Sequence, residues 1–342
     1  MKNLRWYDKI LFLLNSVFSA ALVFSYLLPY IPPKVFALLS VLSLGVPLLI
    51  MINIVFLLYW FIRFKKQLLL PLIALLLGFN HLTSIYEISG SEEISPGAET
   101  ISLLSYNVRQ FNKYGWSERI DIPGEISEFL SKTNPDIVSM QEYSRDALYL
   151  GGSYPYKYIK LKNKNAYFGL AIFSKYKIIN SGSLDFETKS NNNAIFADVV
   201  VGEDTLRIIN VHFQSFSLKP DLGNLETEQS KKVFLGMGRT FVKQQYQMEE
   251  VLDLISRSPY TSIVMGDFNN TAYSYIYREL ISAGFNDAYK EAGSGFGRSF
   301  DFDYFPLRID YIMPAQSIET VAFETFEVPF SDHFPIRAVL KL

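Results

Sequence analysis

Between residues 101 and 342 the chain carries a recurring pattern: short groups of acids, carboxamides and histidines at the ends of β-branched or aromatic runs. Tyr106-Asn107, Gln141-Glu142, Asn210-Val211-His212, Gly266-Asp267-Phe268-Asn269, Arg308-Ile309-Asp310-Tyr311 and Ser331-Asp332-His333 make up the set. Each alone has an ordinary explanation: Asn107 and Asn269 suit turns, Asp267 an Asx-turn or helix cap, Asp332 a turn acid and Glu142 an exposed strand end. Together they have a chemical one. Carboxylates with carboxamide and histidine neighbours, in a chain with no cysteine, suit a hard, oxygen-ligated divalent cation such as magnesium or manganese. Such a site hydrolyses phosphate esters, because the cation offsets phosphate charge, an acid aligns or deprotonates water, and histidines donate to oxygens on which charge develops. The chain has no GxSxG elbow, HExxH helix or Walker-type loop, so the corresponding hydrolase and NTPase classes are excluded. Without cysteine there is also no disulfide framework, thiolate metal site or cysteine nucleophile.

These groups need strands to bring them together. The runs Ile101–Tyr106, Asp136–Met140, Phe168–Phe173, Ile195–Val201, Leu206–Val211, Ser262–Met265, Ile309–Met313 and Ile336–Leu340 have strand composition and end in polar or glycine-containing turns. Between them, Ile122–Lys132, roughly Val233–Ser256 and Ala272–Ala283 have helical spacing, and Asn134-Pro135 stops the first helix. Directly paired strands mixed with a few crossover helices predict an α+β domain of two packed sheets flanked by helices, not a doubly wound parallel sheet.

The first 86 residues are of another kind. Seven basic residues (Lys2, Arg5, Lys9, Lys34, Arg63, Lys65, Lys66) face one acid, Asp8; with 32 basic and 34 acidic residues in all, the formal charge is +6 here and −8 over 87–342. Ile10–Leu28 and Val35–Ile62 are charge-free runs of 19 and 28 residues, each able to cross about 30 Å of hydrocarbon. Gln67–Tyr86 is a third, 20 residues long, interrupted by Pro71, Gly78, Asn80 and His81. The prediction is a membrane anchor over 1–86 with transmembrane helices at about 10–28, 35–62 and 67–86, a polar linker over 87–100, and a catalytic domain over 101–342. A cleaved signal peptide is disfavoured, since Leu28-Pro29-Tyr30-Ile31-Pro32-Pro33 offers no small-residue cleavage site. Basic residues before the first run and between the second and third put the N-terminus inside, and three crossings then place the domain outside the cytoplasm. Asn80 and His81 read as interfacial residues near the end of the last span rather than an intramembrane site.

In order and spacing, Tyr106-Asn107-Val108, Gln141-Glu142, Gly169-Leu170-Ala171-Ile172-Phe173-Ser174, Asn210-Val211-His212, Gly266-Asp267-Phe268-Asn269, Arg308-Ile309-Asp310-Tyr311 and Ser331-Asp332-His333-Phe334-Pro335 resemble a membrane-anchored bacterial member of the endonuclease/exonuclease/phosphatase superfamily. The resemblance spans about 101–342 and implies a four-layered α/β sandwich with its site at one edge of two sheets. It implies that Glu142 is the principal magnesium ligand (manganese being the substitute), with Asn107 close by and Asp332 supporting that metal or a second one. Asp267 would orient and deprotonate the attacking water, and Asn269 would hold a phosphate oxygen. His333, aligned by Asp310, would stabilise the transition state, and His212 would act from the other side as phosphate donor or general acid. Asn193 and Asn210 are the expected substrate contacts.

The family's substrates include nucleic acids, lipid headgroups and inositol phosphates. His212 after Asn210-Val211 is similar to the secreted nuclease, sphingomyelinase and inositol-phosphatase branches and unlike the abasic-site repair branch. A charge of −8 is unlike the basic footprint of a tight nucleic-acid binder, although a nuclease needs only a basic groove. Lys157, Lys160, Lys162 and Lys164, interleaved with Tyr156, Tyr158 and Tyr167, read as a solvated hairpin, with a substrate-facing loop as the alternative. The expectation is a membrane-anchored, magnesium-dependent phosphoesterase, with an extracytoplasmic nuclease, a sphingomyelinase-like enzyme or an inositol-phosphate phosphatase as its versions. The bilayer and a phosphate ester are the expected partners, and no protein partner is predicted. A non-catalytic receptor that kept the fold is the reading from another class.

Overall fold

The structure, a computed structural model, describes residues 5–88, 90, 99–144, 153–162, 167–187, 190, 192–216, 227–302 and 305–342, with the side chains of 227–230 left aside. Most of the expected linker, and Lys164, lie outside these residues. The chain divides into two compact units, Met1–Ile85 with Ser217–Gln245 and Thr271–Arg278, and Tyr86–Phe216 with Tyr246–Asn270 and Glu279–Leu342.

In the first unit the two long apolar runs are helical over Trp6–Tyr30 and Ala37–Ile62, 25 and 26 residues, long and apolar enough to cross a membrane. The helices Trp6–Ser25 (α1) and Val46–Ile62 (α2) are joined by polar contacts: Ser19 Oγ donates to Asn53 Oδ1 at 2.7 Å, and Asn53 Nδ2 donates to the Phe18 carbonyl at 3.2 Å. Asp8 accepts from Tyr59 Oη at 2.7 Å and pairs with Arg63 at 3.2 Å. These buried polar groups thus satisfy one another across the helix pair. The third run differs in form from the other two. It is helical over Lys66–Leu77, about 18 Å at 1.5 Å per residue, then breaks at Gly78 and continues as Phe79–Leu82. Gly78 is required there, because a Cβ would lie 2.0 Å from the Tyr26 ring. His81 stacks on that same ring, centroids 4.8 Å apart, a packing role that needs no intramembrane chemistry.

The second unit is α+β with two large mixed sheets and a short antiparallel pair of Tyr86–Glu87 with Gly295–Phe296. The strands of the large sheets are Thr100–Asn107 (β1), Ile137–Ser144 (β2), Tyr156–Leu161 (β3), Phe168–Ser174 (β4), Ile178–Leu184 (β5), Asn193–Val201 (β6), Asp204–His212 (β7), Thr261–Asp267 (β8), Asp310–Pro314 (β9), Glu319–Thr325 (β10) and Ile336–Lys341 (β11). One sheet has the order β10-β11-β1-β2-β4-β3 and the other β9-β8-β7-β6-β5. Each predicted strand run lies in one of these. Strands β3, β5 and β10 were not expected; their half-exposed alternation mixes polar and apolar residues without a buried run to announce them.

Leu103 and Leu104 show why β1 reads as a continuous apolar run. Leu103 joins the cluster that includes Ile137, Leu170, Ile195, Ile208, Ile263 and Ile312 from both sheets. Leu104 points the other way, into a cluster with Ile122, Ile126 and Leu130 of the helix Ile122–Thr133 (α3). Successive side chains face opposite sides of a strand, so a strand covered on both faces cannot alternate with polar residues. Full burial of each such side chain contributes about 1.5–3 kcal/mol, which fixes the register that the site depends on.

Candidate active site

Strand register brings the polar groups to one end of the two sheets. Asn107 is opposite Gln141 in the parallel β1–β2 pair, His212 opposite Asp267 in the parallel β7–β8 pair, Asn193 opposite His212, and Asp310 opposite Asp267. Gly266 makes the β7–β8 approach possible: it has φ +136°, and a Cβ would stand 2.1 Å from the Val211 carbonyl oxygen.

Asp267 is the centre. It is buried, and its Oδ1 accepts from the Asn269 backbone N–H at 2.7 Å. Its Oδ2 accepts from Asn107 Nδ2 at 3.0 Å, a bond from one sheet to the other, and from Asn269 Nδ2 at 3.1 Å. His212 Nε2 lies 3.6 Å and His333 Nε2 3.8 Å from that Oδ2. His333 Nδ1 lies 2.9 Å from Asp310 Oδ2, so both ring nitrogens face carboxylates. Burial alone would depress the His333 pKa, but the Asp310 and Asp267 carboxylates outweigh it and raise it to about 10. Burial raises Asp310 to about 6 against the pull of His333. Between these limits the pair is imidazolium and carboxylate.

Ser299 supports that pair and had no spacing signal in the sequence. Its hydroxyl donates to Asp310 Oδ2 at 2.7 Å and accepts the backbone N–H groups of Ile309 and Asp310 at 3.0 and 2.9 Å. Arg308 fixes the chain just before Asp310 with a buried ion pair to Asp287, in which Nη1 donates to Oδ1 at 2.9 Å and Nη2 lies 2.8 Å from Oδ2, while its guanidinium lies 4.5 and 4.6 Å from the Tyr289 and Tyr311 ring centroids.

Glu142 reaches the site through a bulge. Between Met140 and Tyr143 two residues of β2 face one of β4, and Glu142 takes φ +52°, a left-handed conformation that costs about 1–2 kcal/mol for an L-residue. The bulge buries Gln141 and leaves Glu142 half-buried, with Oε2 accepting from Gln110 Nε2 at 3.1 Å. Gln110 lies in a turn, Arg109 to Asn112, whose four residues all have positive φ. Its neighbour Arg109 pairs with Asp332 at 3.2 Å. Gln110 and Arg109 were not singled out in the sequence, where only their nearness to Asn107 marks them.

Two expected substrate contacts have other geometry. Asn210 is fully buried, and both its amide hydrogens are used, by the Met140 and Ala171 carbonyls at 3.0 Å each, while Oδ1 accepts from Gln141 at 2.7 Å; it ties the sheets together. Asn269 Nδ2 likewise bonds the Phe213 carbonyl at 3.0 Å besides Asp267, so this amide holds the Asp267 carboxylate. Asn193 is the reverse case: buried beside His212, its Nδ2 has no hydrogen-bond partner.

The donor set fits a hard cation. Side-chain oxygens dominate, thiols are absent, and buried Asp310 Oδ1 has no partner. Ligand atoms of Asp267, Asp310 and His333 lie within 4.8 Å of one another. This trio is a second place where a cation could be held, beside the expected ligands Glu142 and Asn107.

Residues 104–333 match the sequence profile of the Endonuclease/Exonuclease/phosphatase family, and residues 8–85 that of a domain of unknown function, DUF8431. No curated protein matches the chain. Among solved structures, an endonuclease/exonuclease/phosphatase from Bacteroides vulgatus is similar in fold, with TM-score 0.55 and 20% identity over 71% of this chain and 99% of that one. A humanized D. rerio TDP2 has TM-score 0.54 and 19% identity over 72% of this chain and 100% of its own. D. rerio TDP2 complexed with a single-strand DNA product has TM-score 0.53 and 17% identity, over 71% and 99%.

Proposed function

The chain belongs to the endonuclease/exonuclease/phosphatase family, and on that premise we propose that it is a metal-dependent phosphoesterase held at a membrane by its N-terminal unit. The observation that carries the reading is the Asp267 carboxylate, held by three donor contacts from Asn107 and Asn269 with His212 and His333 beside one oxygen. A carboxylate so oriented can align a water molecule and take its proton. His333, kept protonated by Asp310 and Asp267, donates to a phosphoryl oxygen as negative charge grows there; groups aimed at developing charge in this way typically contribute 10²–10³ in rate. His212 stands on the other side of Asp267, placed to give a proton to the leaving oxygen, and Asn193 Nδ2 is a further donor to the phosphate. Glu142 and Asn107 would hold the cation, with Asp332, bridged to Arg109, in support. Magnesium or manganese bound there supplies charge neutralisation of the phosphate and a more acidic water.

The substrate is a phosphate ester, either a diester or a monoester. The D. rerio relative complexed with a single-strand DNA product favours a nucleic-acid diester over a lipid headgroup or an inositol phosphate. Two helices of membrane-crossing length support the anchor, and the basic residues at 63–66 support an inner N-terminus; the catalytic unit then lies outside only if the third run, helical over Lys66–Leu77, crosses as well.

The test uses the full chain in mild detergent with bis(p-nitrophenyl) phosphate and magnesium. Hydrolysis is expected to stop with chelator, and to fall at least about 100-fold in His333→Ala and Glu142→Gln without loss of folding by circular dichroism. Retained activity in both variants overturns the assignment. A C-terminal alkaline phosphatase fusion is expected to be active; an inactive one beside an active cytoplasmic reporter places the unit inside.

A further inference from the structure

Beside Glu142 and Asp332 the surface carries aromatic rings and cations that the hydrolytic chemistry does not use. Trp116 is 53% exposed, Tyr114 61% and Tyr167 60%. Arg109, bridged to Asp332, has its guanidinium 4.6 Å from the Trp116 ring centroid, and Lys113 Nζ is 3.5 Å from that of Tyr167. Tyr114 meets Trp116 edge on, at 5.9 Å.

The loop that presents these rings is built to stay closed. Asn112 Oδ1 accepts from the Ser117 N–H at 2.9 Å, and Asn112 Nδ2 donates to the Ser117 carbonyl at 2.8 Å. The Gly115 N–H bonds the Asn112 carbonyl at 2.9 Å, and Gly115 has φ +68° with open space where a Cβ would be. Large apolar side chains are thus held in water on a closed loop. Directly before it, Gln110 donates to Glu142, so the loop is continuous with the catalytic edge.

We propose that the 109–117 loop with Tyr167 is a platform on which unpaired bases flanking the scissile phosphate stack, which makes the substrate a single-stranded polynucleotide. The proposal rests on the phosphoesterase reading above and names its substrate class. Exposed rings interleaved with cations are what a single strand requires: every base offers a π-face and every linkage a negative charge. In a duplex those faces are already stacked on neighbouring bases. A choline headgroup also binds aromatic rings, but as a cation over their faces; here Arg109 and Lys113 hold those positions, and a third positive charge would be repelled.

The test is fluorescence anisotropy of fluorescein-labelled dT12 with the full chain in detergent, metal removed to prevent cleavage. Trp116→Ala and Tyr167→Ala should each weaken binding about tenfold, Trp116→Phe should keep most of it, and a dT12·dA12 duplex should bind more weakly than dT12. With magnesium, kcat/KM for dT12 should fall about tenfold more than for bis(p-nitrophenyl) phosphate. Unchanged dT12 affinity in both alanine variants overturns the platform, as does tighter binding of the duplex. So does a loss confined to capture on sphingomyelin–phosphatidylglycerol vesicles. Should Trp116→Ala not fold, unchanged dT12 affinity in Tyr167→Ala alone overturns the platform. A wild-type chain that binds dT12 through these rings but hydrolyses neither ester refutes the phosphoesterase reading and leaves the binding surface standing.

Discussion

Ser299→Ala removes the one hydroxyl that organises the Asp310 end of the site. In the folded protein Ser299 Oγ donates to Asp310 Oδ2 at 2.7 Å and accepts two backbone N–H groups, and the residue is fully buried. A hydrogen bond to a charged group contributes about 1.5–3 kcal/mol, and an orphaned buried N–H costs about 1–3 kcal/mol. With a water replacing part of this, a destabilisation of about 3 kcal/mol is expected. The donation from Ser299 lowers the Asp310 pKa, so its loss raises it further. At 1.36 kcal/mol per unit, half of such a bond moves the acidic limb of the pH–rate profile up by about one unit. Asp310 then aligns His333 less firmly, and kcat should fall about 10–100-fold with KM changed less. The assay is the pH dependence of bis(p-nitrophenyl) phosphate hydrolysis by the full chain, with Ser299→Thr as the variant that keeps the hydroxyl. A folded Ser299→Ala protein with the wild-type acidic limb and kcat would refute the claim that Ser299 positions the dyad.

Wild-type kcat should show an acidic limb near pH 6, where the buried Asp310 carboxylate takes a proton, and an alkaline limb near pH 10, where His333 loses the one that Asp310 and Asp267 hold on it. A profile flat from pH 5 to 11, measured as initial rates, would show that the dyad is not in the rate equation. Gly266→Ala should lose about 1–3 kcal/mol to overpacking alone, with more from its φ of +136°, because the added Cβ meets the Val211 carbonyl at 2.1 Å. The expected readout is a lowered unfolding midpoint together with lost activity, since the β7–β8 register sets His212 against Asp267; an unchanged midpoint would contradict this packing.

The sequence made most of the strand framework legible because apolar runs such as Ile101–Tyr106 are covered on both faces, as Leu103 and Leu104 show. Site residues at strand ends were legible for the same reason: a polar group that abruptly ends a buried run stands out. What pattern could not reveal is which hydrogens are already taken. Asn210 and Asn193 sit on adjacent strands with the same side chain, yet Asn210 has both amide hydrogens bonded to carbonyls and Asn193 has an unpartnered Nδ2. Such differences arise from contacts far apart in the chain, 70 residues apart for Asn210 and Met140. Ser299 was hidden likewise, since a lone serine becomes informative only when β9 places Asp310 beside it. The third apolar run is interrupted by polar and helix-breaking residues in the sequence, and packing of Tyr26 against Gly78 selects the point at which it divides into two helices.

Charge illustrates the same limit from the side of function. The −8 over residues 87–342 argues against a polyanionic substrate only if charge acts as a sum over the unit. At physiological ionic strength the Debye length is about 8 Å, so carboxylates on distant faces are screened from a strand at the site. The cations described along this edge are the His333 imidazolium, the Arg109 guanidinium beside Asp332, and Lys113 over Tyr167. Glu142, Asp267 and Asp310 lie among them, and a bound divalent cation would reverse their balance. An acidic domain can therefore recognise a phosphodiester strand locally, with long-range repulsion slowing encounter at low salt. Raising the salt should then first increase the on-rate for dT12 and only later weaken its binding, a biphasic dependence that a uniformly basic nucleic-acid binder, whose affinity falls steadily with salt, does not show.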